Sequence, residues 1–313
     1  MHVVGVIMAQ QYTIRKGLKL FGDGGRLAVK KELTQLHDMA TYTPMHAHEL
    51  TREQRVQALS SLMFLTQKRD GKIKGRACAN GSKQREYINK ESATSPTVAT
   101  DSLMITAAID AVELRDVVTL DIPGAFLHAD LDEEVIMVLR GELAELMAKV
   151  EPKLYRPYII TTSKGESILY VKMQKDLYRL LRSSLLFYLK LRKDLEEFGF
   201  EINDYDPCVA NKMVNGSQMT IVWHVDDLKV SHREGREITK LLLYLGKIYG
   251  PNIAVNCGKI HDYLGIDFDF SQEGVVKLSM MNNIMKIFGD FPEEIGKPCA
   301  TPASDHLFVI RDP

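Results

Sequence analysis

The sequence is poor in cysteine and has no long apolar run. Its four cysteines lie far apart, at Cys78, Cys208, Cys257 and Cys299. No histidine stands at zinc-ligand spacing from them, so the pattern gives no support to a zinc site and favours reduced thiols in a cytosolic protein. The apolar start, Val3 to Ala9, is too short for a membrane span and lacks the basic flank of a secretory signal.

The sequence also has almost no net charge. It carries 40 basic and 41 acidic residues, and its 313 residues, 45% of them hydrophobic, predict a soluble globular protein of one large or two smaller domains. Because phosphate binding needs basic side chains, any nucleic-acid surface must be local. The basic residues of one such stretch are Lys68, Arg69, Lys72, Lys74, Arg76, Lys83, Arg85 and Lys90, against only Asp70 and Glu86. A solvated face is the other interpretation, but it explains this imbalance poorly.

Two adjacent carboxylates, Asp226 and Asp227, stand between apolar runs in the segment 220–232. The β-branched and aromatic residues around them predict a strand, a tight Asp-Asp turn and a return strand. Two ionised carboxylates side by side repel each other and lose hydration, so a fold that holds them normally offsets the cost with a cation. Hard oxygen ligands on a turn suit Mg²⁺. A solvated turn is the alternative, since aspartate is common in turns.

A third carboxylate, Asp121, ends an apolar run that begins at Val117. Pro123 and Gly124 then stop the strand and turn the chain. With Asp121 beside the predicted hairpin, three carboxylates would lie in one place. Such a trio can hold two Mg²⁺ ions about 3.5 to 4 Å apart, one activating a 3′-hydroxyl and the other carrying a triphosphate, for in-line phosphoryl transfer.

With these residues the chain resembles the reverse transcriptase domain of copia-type (pseudoviral) LTR retrotransposons. The segment 121–131 is similar to the family's Asp-Val-Lys-Thr-Ala-Phe-Leu-Asn-Gly-Asp-Leu, and the segment 224–227 to its Tyr-Val-Asp-Asp. The segment 177–180 resembles Leu-Tyr-Gly-Leu, and the segment 263–266 matches Tyr-Leu-Gly-Ile. The similarity keeps the family's order from about Lys68 to Pro302, and four ordered motifs are more specific than any one of them.

The resemblance implies an α+β fold of the right-hand polymerase type, with fingers, a palm of antiparallel sheet backed by helices, and a partial thumb. Residues 1–60 are expected to be an N-terminal extension or a linker from an upstream part of a polyprotein, so Met1 need not begin the natural product. Residues 61–280 would form fingers and palm. Residues 281–313 would form a partial thumb and linker, without an RNase H domain.

By the same resemblance the activity is RNA-directed DNA polymerisation with two Mg²⁺ or Mn²⁺ ions. The expected partners are an RNA template, a DNA primer or duplex and deoxynucleoside triphosphates, with no membrane and an open oligomeric state. The expected location is the cytoplasm, in a virus-like particle, or the nucleus with the integration complex. Two alternatives are an inert transposon remnant that binds nucleic acid without polymerising, and a two-metal nuclease.

The resemblance also implies roles for individual residues. The expected catalytic residues and metal ligands are Asp121, Asp226 and Asp227. The expected nucleotide contacts are the side chains of Lys74 and Arg76 on a fingers hairpin, the backbone N–H groups of Gly124 and Ala125, and the ring of Phe126 as a gate against a ribose 2′-hydroxyl. The expected template-primer contacts are His224, Tyr263, Leu264 and Gly265. For Phe126 and His224, an ordinary packed side chain is the alternative.

Hydrophobic spacing adds predictions of secondary structure. The predicted helices cover residues 26–39, 51–63, 101–112, 175–198 and 236–249. The first follows a glycine turn at Gly24 and Gly25, the second and third begin at the caps Thr51 and Asp101, and the fourth ends at Gly199. The residues expected to face inward are Leu27, Val29, Leu33 and Leu36 in the first helix and Leu103, Ile105, Ile109 and Val112 in the third. A hairpin is predicted over residues 68–84, turning at Asp70 and Gly71. Residues 263–266 are predicted to form a strand that pairs with residues 275–278.

Overall fold

The computed structural model of the chain describes residues 11–68, 71–89 and 91–290, so the predictions for Val3 to Ala9, Asp70 and Cys299 lie outside the described residues. The helices of the described part are α1 (Ile14–Asp38), α2 (Arg52–Gln57), α3 (Thr100–Val112), α4 (Glu142–Val150), α5 (Pro152–Tyr155), α6 (Ser183–Glu197), α7 (Gly235–Tyr249) and α8 (Met281–Asp290). None of these helices is both long enough and apolar enough to cross a membrane.

Sixteen strands in the same ranges form three sheets. The strands are β1 (Tyr12–Thr13), β2 (Tyr42–Met45), β3 (Leu59–Gln67), β4 (Ile73–Ala79), β5 (Asp116–Asp121), β6 (Ile136–Arg140), β7 (Ile160–Thr161), β8 (Ser167–Met173), β9 (Glu201–Ile202), β10 (Val209–Val214), β11 (Ser217–His224), β12 (Asp227–His232), β13 (Ala254–Asn256), β14 (Ile260–Tyr263), β15 (Ile266–Asp269) and β16 (Lys277–Ser279). Helices and mostly antiparallel strands together confirm the α+β class.

A seven-stranded sheet forms the first layer of the molecule. Its main path is β1-β3-β6-β8-β2, with β4 pairing β3 and β7 pairing β8. The hairpin predicted over residues 68–84 is confirmed in part: β4 is its second strand, but the first strand is β3, which ends at Gln67, and residues 81–86 form a short 3-10 helix. The two strands pair from Gln67 and Ile73 back to Ser61 and Ala79. The helices α1 and α4 cover this sheet and share one apolar core with it.

A six-stranded sheet carries the segments around the three candidate carboxylates. Its order is β13-β5-β12-β11-β10-β9, and all its pairings are antiparallel. Side chains alternate between the two faces of a sheet. One face, which includes Leu228 and Val230, packs on α6 and α7. The other face, which includes Val222, packs on α3 and on the small sheet β14-β15-β16. The sheet is therefore covered on both faces, and the candidate carboxylates lie at one of its ends.

A buried ionic cluster joins α3 to this sheet. Lys229 of β12 forms an ion pair with Asp110 of α3, and their side chains are 1% and 0% exposed. Arg115 lies 3.7 Å from the Asp110 carboxylate, forms an ion pair with Glu113 at 3.0 Å and donates a hydrogen bond to the Thr220 hydroxyl at 3.0 Å. A buried charge is costly unless it is paired. The cluster therefore holds the helix against strands β11 and β12.

The second predicted helix is only partly confirmed. Thr51 caps it as expected, because the Thr51 hydroxyl accepts from the Gln54 N–H and the Gln54 side chain accepts from the Thr51 N–H. The helix α2 ends at Gln57, however, and Leu59 and Met63 lie in β3. Pairing of β3 with β4 and β6 outweighs the helical spacing of these residues.

The first predicted helix begins earlier than expected, at Ile14 rather than Arg26. The predicted glycine turn at Gly24 and Gly25 lies inside α1, whose backbone departs from helical geometry at Gly22, with φ of +52°. Three predicted inward residues are buried: Val29, Leu33 and Leu36. Leu27 is instead 70% exposed.

The helix predicted from Lys175 begins eight residues later, at Ser183. Before this helix, the Asp176 carboxylate accepts hydrogen bonds from the Ser183 hydroxyl at 2.8 Å and from the Leu177 backbone N–H at 2.7 Å. Arg179 in this turn has φ of +72°, which excludes a helix there. The predicted end at Gly199 and the helix predicted over residues 236–249 are both confirmed.

The helix α3 exists as predicted, but its cap and its buried face differ. The residue before it is Ala99, whose N–H donates to the Asp206 carboxylate at 2.9 Å, and Asp101 lies in the first turn. Its buried residues are Leu103, Ala107, Asp110 and Ala111. Ile105 is 60% exposed. The buried face is therefore the one that carries Asp110 together with Leu103, Ala107 and Ala111.

The ionic cluster generates a stability prediction. Asp110→Ala should lower the free energy of unfolding by about 3 to 5 kcal/mol, because it leaves the Lys229 ammonium buried without its partner. Urea unfolding measures this change. Asp101→Ala, an exposed position on the same helix, is the matched control and should cost less than about 1 kcal/mol. Equal losses in the two variants would contradict a role for the buried pair.

Candidate active site

The tip of the β11–β12 hairpin holds two of the candidate carboxylates. Since β11 ends at His224 and β12 begins at Asp227, the two turn residues are Val225 and Asp226 rather than the predicted Asp226 and Asp227. Val225 has φ of +57°, a conformation that β-branched residues rarely adopt. Strain of this kind persists only where the surroundings enforce it. One enforcing contact comes from Tyr263, whose hydroxyl donates to the Asp227 carbonyl at 3.1 Å.

The third candidate carboxylate lies on the strand beside this hairpin. Asp121 is the register partner of Asp227 across the β5–β12 pair. The Ile122 N–H also donates to the Asp226 carbonyl at 3.1 Å. Residues directly opposite each other in an antiparallel pair have Cβ atoms about 4.5 to 5.5 Å apart. The structure therefore brings together the three aspartates that are far apart in the sequence, as the sequence predicted.

Ionisation of Asp226 and Asp227 is opposed by their surroundings. Burial, followed by the charges of Asp226 and Asp121, raises the pKa of Asp227 to about 6. Burial also raises the pKa of Asp226, and Asp121 adds to this, while the backbone and Arg76 act in the opposite direction. A bound cation would favour the ionised forms.

A cleft of about 240 Å³ lies beside the carboxylates and the β3–β4 hairpin. Asp121 and Asp226 line it together with Lys74 and Arg76 of β4, whereas Asp227 lines a neighbouring cavity. The Arg76 guanidinium lies 4.8 Å from the centre of the Tyr178 ring, which is within the range of a cation–π interaction. The two cations that the sequence predicted for the nucleotide thus line the same cleft as Asp121 and Asp226.

The loop that follows Asp121 also lines this cleft. Gly124 has φ of +66°, which favours glycine, and it lines the cleft directly. Ala125 is buried. The half-buried ring of Phe126 packs edge-on against Tyr178 with centroids 4.7 Å apart, and it also contacts Phe187. Phe126 therefore packs against the apolar core, and its ring contacts Tyr178, the same ring that the Arg76 guanidinium contacts.

The four predicted template-primer residues occupy different environments. His224 is half-buried and lies opposite Asp227 in the hairpin register. Tyr263 is buried, at 3% exposed, so its side chain holds the hairpin. The predicted strand 263–266 is wrong, because Leu264 and Gly265 form the turn between β14 and β15 and both have positive φ. The predicted pairing with residues 275–278 is confirmed only in part, as β15 with β16.

Three residues at the cleft had no role in the sequence predictions: Glu32, Gln35 and Tyr178. Glu32 and Gln35 lie on α1, in the segment that carried no recognisable motif. Tyr178 lies in a recognised motif, but its contact with Arg76 depends on a turn that the sequence did not reveal. The only sequence signal near them is Gly75, a glycine between two cations that marks a close backbone approach.

The aspartates suit a hard divalent cation by their chemistry. Asp121 and Asp227 are partners in the strand register, and burial raises the pKa values of Asp226 and Asp227. Within the described ranges no set of three His, Cys, Asp or Glu side chains forms a preformed metal cage. Mg²⁺ is usually bound by one or two carboxylates together with waters and substrate phosphates rather than by an all-protein cage. The donor set therefore fits such an ion.

The chain matches one protein family over most of its length. A family model described as reverse transcriptase (RNA-dependent DNA polymerase) matches residues 53–305. The chain belongs to the reverse transcriptase family. This membership agrees with the right-hand polymerase fold that the motifs implied. Reverse transcriptases bind nucleic acid and generally use divalent metal ions.

Relatives of this reverse transcriptase domain include transposon polyproteins of Saccharomyces cerevisiae. The Transposon Ty1-LR2 Gag-Pol polyprotein is 24% identical over 294 residues, which is 91% of this chain and 15% of the polyprotein. The Transposon Ty1-DR5 Gag-Pol polyprotein has the same identity and coverage. The copia-type resemblance is thereby confirmed. The chain spans about a seventh of the length of these relatives.

Solved structures with a similar arrangement include a telomerase and a viral enzyme. Telomerase from Candida albicans in complex with a fragment of telomeric RNA gives a TM-score of 0.41 at 12% identity, covering 78% of this chain and 48% of that chain. Prototype foamy virus protease-reverse transcriptase gives a TM-score of 0.38 at 16% identity, covering 77% of this chain and 24% of that chain.

The carboxylate cluster generates a prediction about stability and pH. Because the fold raises the pKa of Asp227 from its ordinary value near 3.8 to about 6, its ionisation destabilises the fold as pH rises through 6. Asp227→Asn should therefore raise the melting temperature by about 2 to 4 °C at pH 7.5, and the difference should disappear near pH 4. Thermal unfolding at the two pH values measures it. The control is Asp204→Asn in an exposed loop, and a gain of equal size there would contradict the prediction.

Proposed function

We propose that this reverse transcriptase domain is an RNA-directed DNA polymerase that adds deoxynucleotides to a primer 3′-hydroxyl. The observation that carries the proposal is the cleft that Asp121 and Asp226 line together with Lys74 and Arg76. Phosphoryl transfer needs negative groups to hold cations on one side and positive groups to balance phosphate oxygens on the other. The cleft offers both within one space.

Asp121, Asp226 and Asp227 would hold two divalent ions, Mg²⁺ or Mn²⁺. Bound there, the ions would supply activation of the primer hydroxyl and neutralisation of the triphosphate. The protein's own part is to keep three ionisable carboxylates together against their mutual repulsion. The β5–β12 register holds Asp121 beside Asp227, and the buried Tyr263 holds the hairpin through its hydrogen bond to the Asp227 carbonyl.

Lys74 and Arg76 would neutralise the incoming triphosphate. Arg76 suits this because its planar guanidinium pairs with phosphate oxygens and stays charged at all working pH values. The Tyr178 ring restricts where that guanidinium can lie. Gly124 and Ala125 would offer backbone N–H groups, and Phe126 would act as a steric gate against the ribose 2′-hydroxyl.

The template and primer would lie along the hairpins at the end of the six-stranded sheet. The proposed contacts are His224 and the turn formed by Leu264 and Gly265. The buried Tyr263 holds the neighbouring hairpin through the Asp227 carbonyl. In the proposed division, residues 1–60 are an extension, residues 61–280 are fingers and palm, and residues 281–313 are a partial thumb and linker. The proposed location is the cytoplasm, in a virus-like particle, or the nucleus with the integration complex.

Primer extension tests the carboxylate assignment. Asp226→Asn should lower the extension rate on a homopolymer template by about 100-fold or more with Mg²⁺ or Mn²⁺, because a neutral amide is a poor ligand for either ion. Its affinity for the primer-template should stay close to that of the unchanged protein. Unaltered extension would contradict the assignment. An unchanged protein that binds nucleic acid but never extends it would indicate an inert remnant, and strand cleavage without nucleotides would indicate a nuclease.

Steady-state kinetics test the role of the cationic side of the cleft. Arg76→Ala should raise the KM for the deoxynucleoside triphosphate by about tenfold or more, because hydrogen bonds to charged groups are strong, while primer-template affinity changes little. The control is Arg85→Ala, which removes an exposed arginine from the same basic stretch. An equal loss of primer-template affinity in Arg76→Ala would remove that residue from the nucleotide site.

A further inference from the structure

The N-terminal helix α1 lies directly against the strand that carries the two cations. Ala28, Glu32 and Gln35 follow one another at spacings of four and three residues, so they share one face of the helix. At Gly75, between Lys74 and Arg76, a Cβ atom would lie only 2.9 Å from the Ala28 carbonyl oxygen. The glycine therefore permits a backbone contact between α1 and β4 that no other residue would allow.

Glu32 is bound to this strand by a specific hydrogen bond. Its carboxylate accepts from the Ala77 N–H at 2.8 Å, and among the described strands the strand of Ala77, β4, pairs with β3 alone. The charges of Lys74 and Arg76 also act on the Glu32 carboxylate, although burial raises its pKa more strongly than they lower it. Glu32 thus fixes the backbone position of the cationic segment.

Gln35, on the same face of α1, lies next to the loop that follows Asp121. A Cβ atom at Gly124 would be 2.8 Å from the Gln35 side-chain nitrogen, so the amide touches the loop after Asp121. Gln35 also lines the cleft together with Lys74 and Arg76. Its side chain forms no hydrogen bond to any residue in the described part of the chain, and it is only partly buried. The amide is therefore available to a ligand in the cleft.

We propose that α1 is one wall of the nucleotide site, in which the Gln35 amide binds the triphosphate of the incoming nucleotide and Glu32 positions Lys74 and Arg76. This inference rests on the proposed function, since it names a nucleoside triphosphate as the occupant of the cleft. Gln35 is a binding residue in this arrangement. Glu32 is a positioning residue, because it acts through the backbone of Ala77.

The test measures binding of a deoxynucleoside triphosphate separately from chemistry. The complementary triphosphate is titrated, with Mg²⁺ present, into the full chain bound to a primer-template whose primer ends in a dideoxynucleotide. Gln35→Ala should raise the dissociation constant by about tenfold, because it removes a hydrogen bond to a charged group. The matched control is Lys31→Ala on the exposed side of α1, which should bind like the unchanged protein. Thermal unfolding confirms that each variant is folded.

Two substitutions of Glu32 separate positioning from general destabilisation. Glu32→Ala should raise the dissociation constant for the triphosphate about fivefold or more, because the Ala77 N–H loses its acceptor. Glu32→Gln keeps an oxygen acceptor at that place and should restore binding close to that of the unchanged protein. Primer-template affinity should be constant throughout. Equal triphosphate binding in Glu32→Ala and the unchanged protein would overturn the positioning role.

The outcomes distinguish this inference from the proposed function. If the unchanged protein binds the triphosphate but never extends a normal primer, the polymerase proposal fails while the effect of Gln35→Ala still decides the role of α1. If it extends primers and Gln35→Ala binds the triphosphate normally, the role of Gln35 is overturned and the polymerase proposal stands. If the unchanged protein binds no triphosphate, both fail.

Discussion

The register between β5 and β12 is the constraint on which the rest of this structure depends. It sets Asp121 opposite Asp227, an arrangement of like charges that destabilises a sheet. The opposite face of β12 explains why the arrangement persists, because Leu228 and Val230 are fully buried there. A slip by one residue would turn these apolar side chains away from their core. The hydrophobic core thus enforces the closeness of the carboxylates.

Other contacts hold the same strands where the carboxylates would push them apart. Lys229 lies two residues after Asp227 on the same face of β12, and its buried ion pair ties that face to Asp110 of α3. The Tyr263 hydroxyl donates a hydrogen bond to the Asp227 carbonyl, next to the turn in which Val225 has an unfavourable φ. Strained and repelling groups gathered in one place indicate a site shaped by activity rather than by stability.

The sequence predicted this region well and the N-terminal region poorly, for physical reasons. Alternating apolar residues with aspartates at their ends identify β5 and the β11–β12 hairpin, because burial of one face and local turn chemistry decide them. The first residues of β3 fit both a helical and a strand period, and only pairing with β4 and β6 decides between them, so the helix predicted over residues 51–63 is wrong from Leu59 onward. The buried partners of Asp110 and the contacts of Gln35 arise from long-range packing, which no local pattern records.

The contacts of α1 also constrain how the cleft can change shape. The helix backbone contacts β4 at Gly75, where a side chain would collide with it, and the Gln35 side chain contacts the loop after Asp121 at Gly124. It therefore bridges the cationic and the acidic sides of the cleft. A shift of β4 without α1 would break the hydrogen bond from the Ala77 N–H to Glu32, at a cost of about 1 kcal/mol or more. A movement that keeps this bond carries α1 with β4, so α1 is coupled to the segment that holds Lys74 and Arg76.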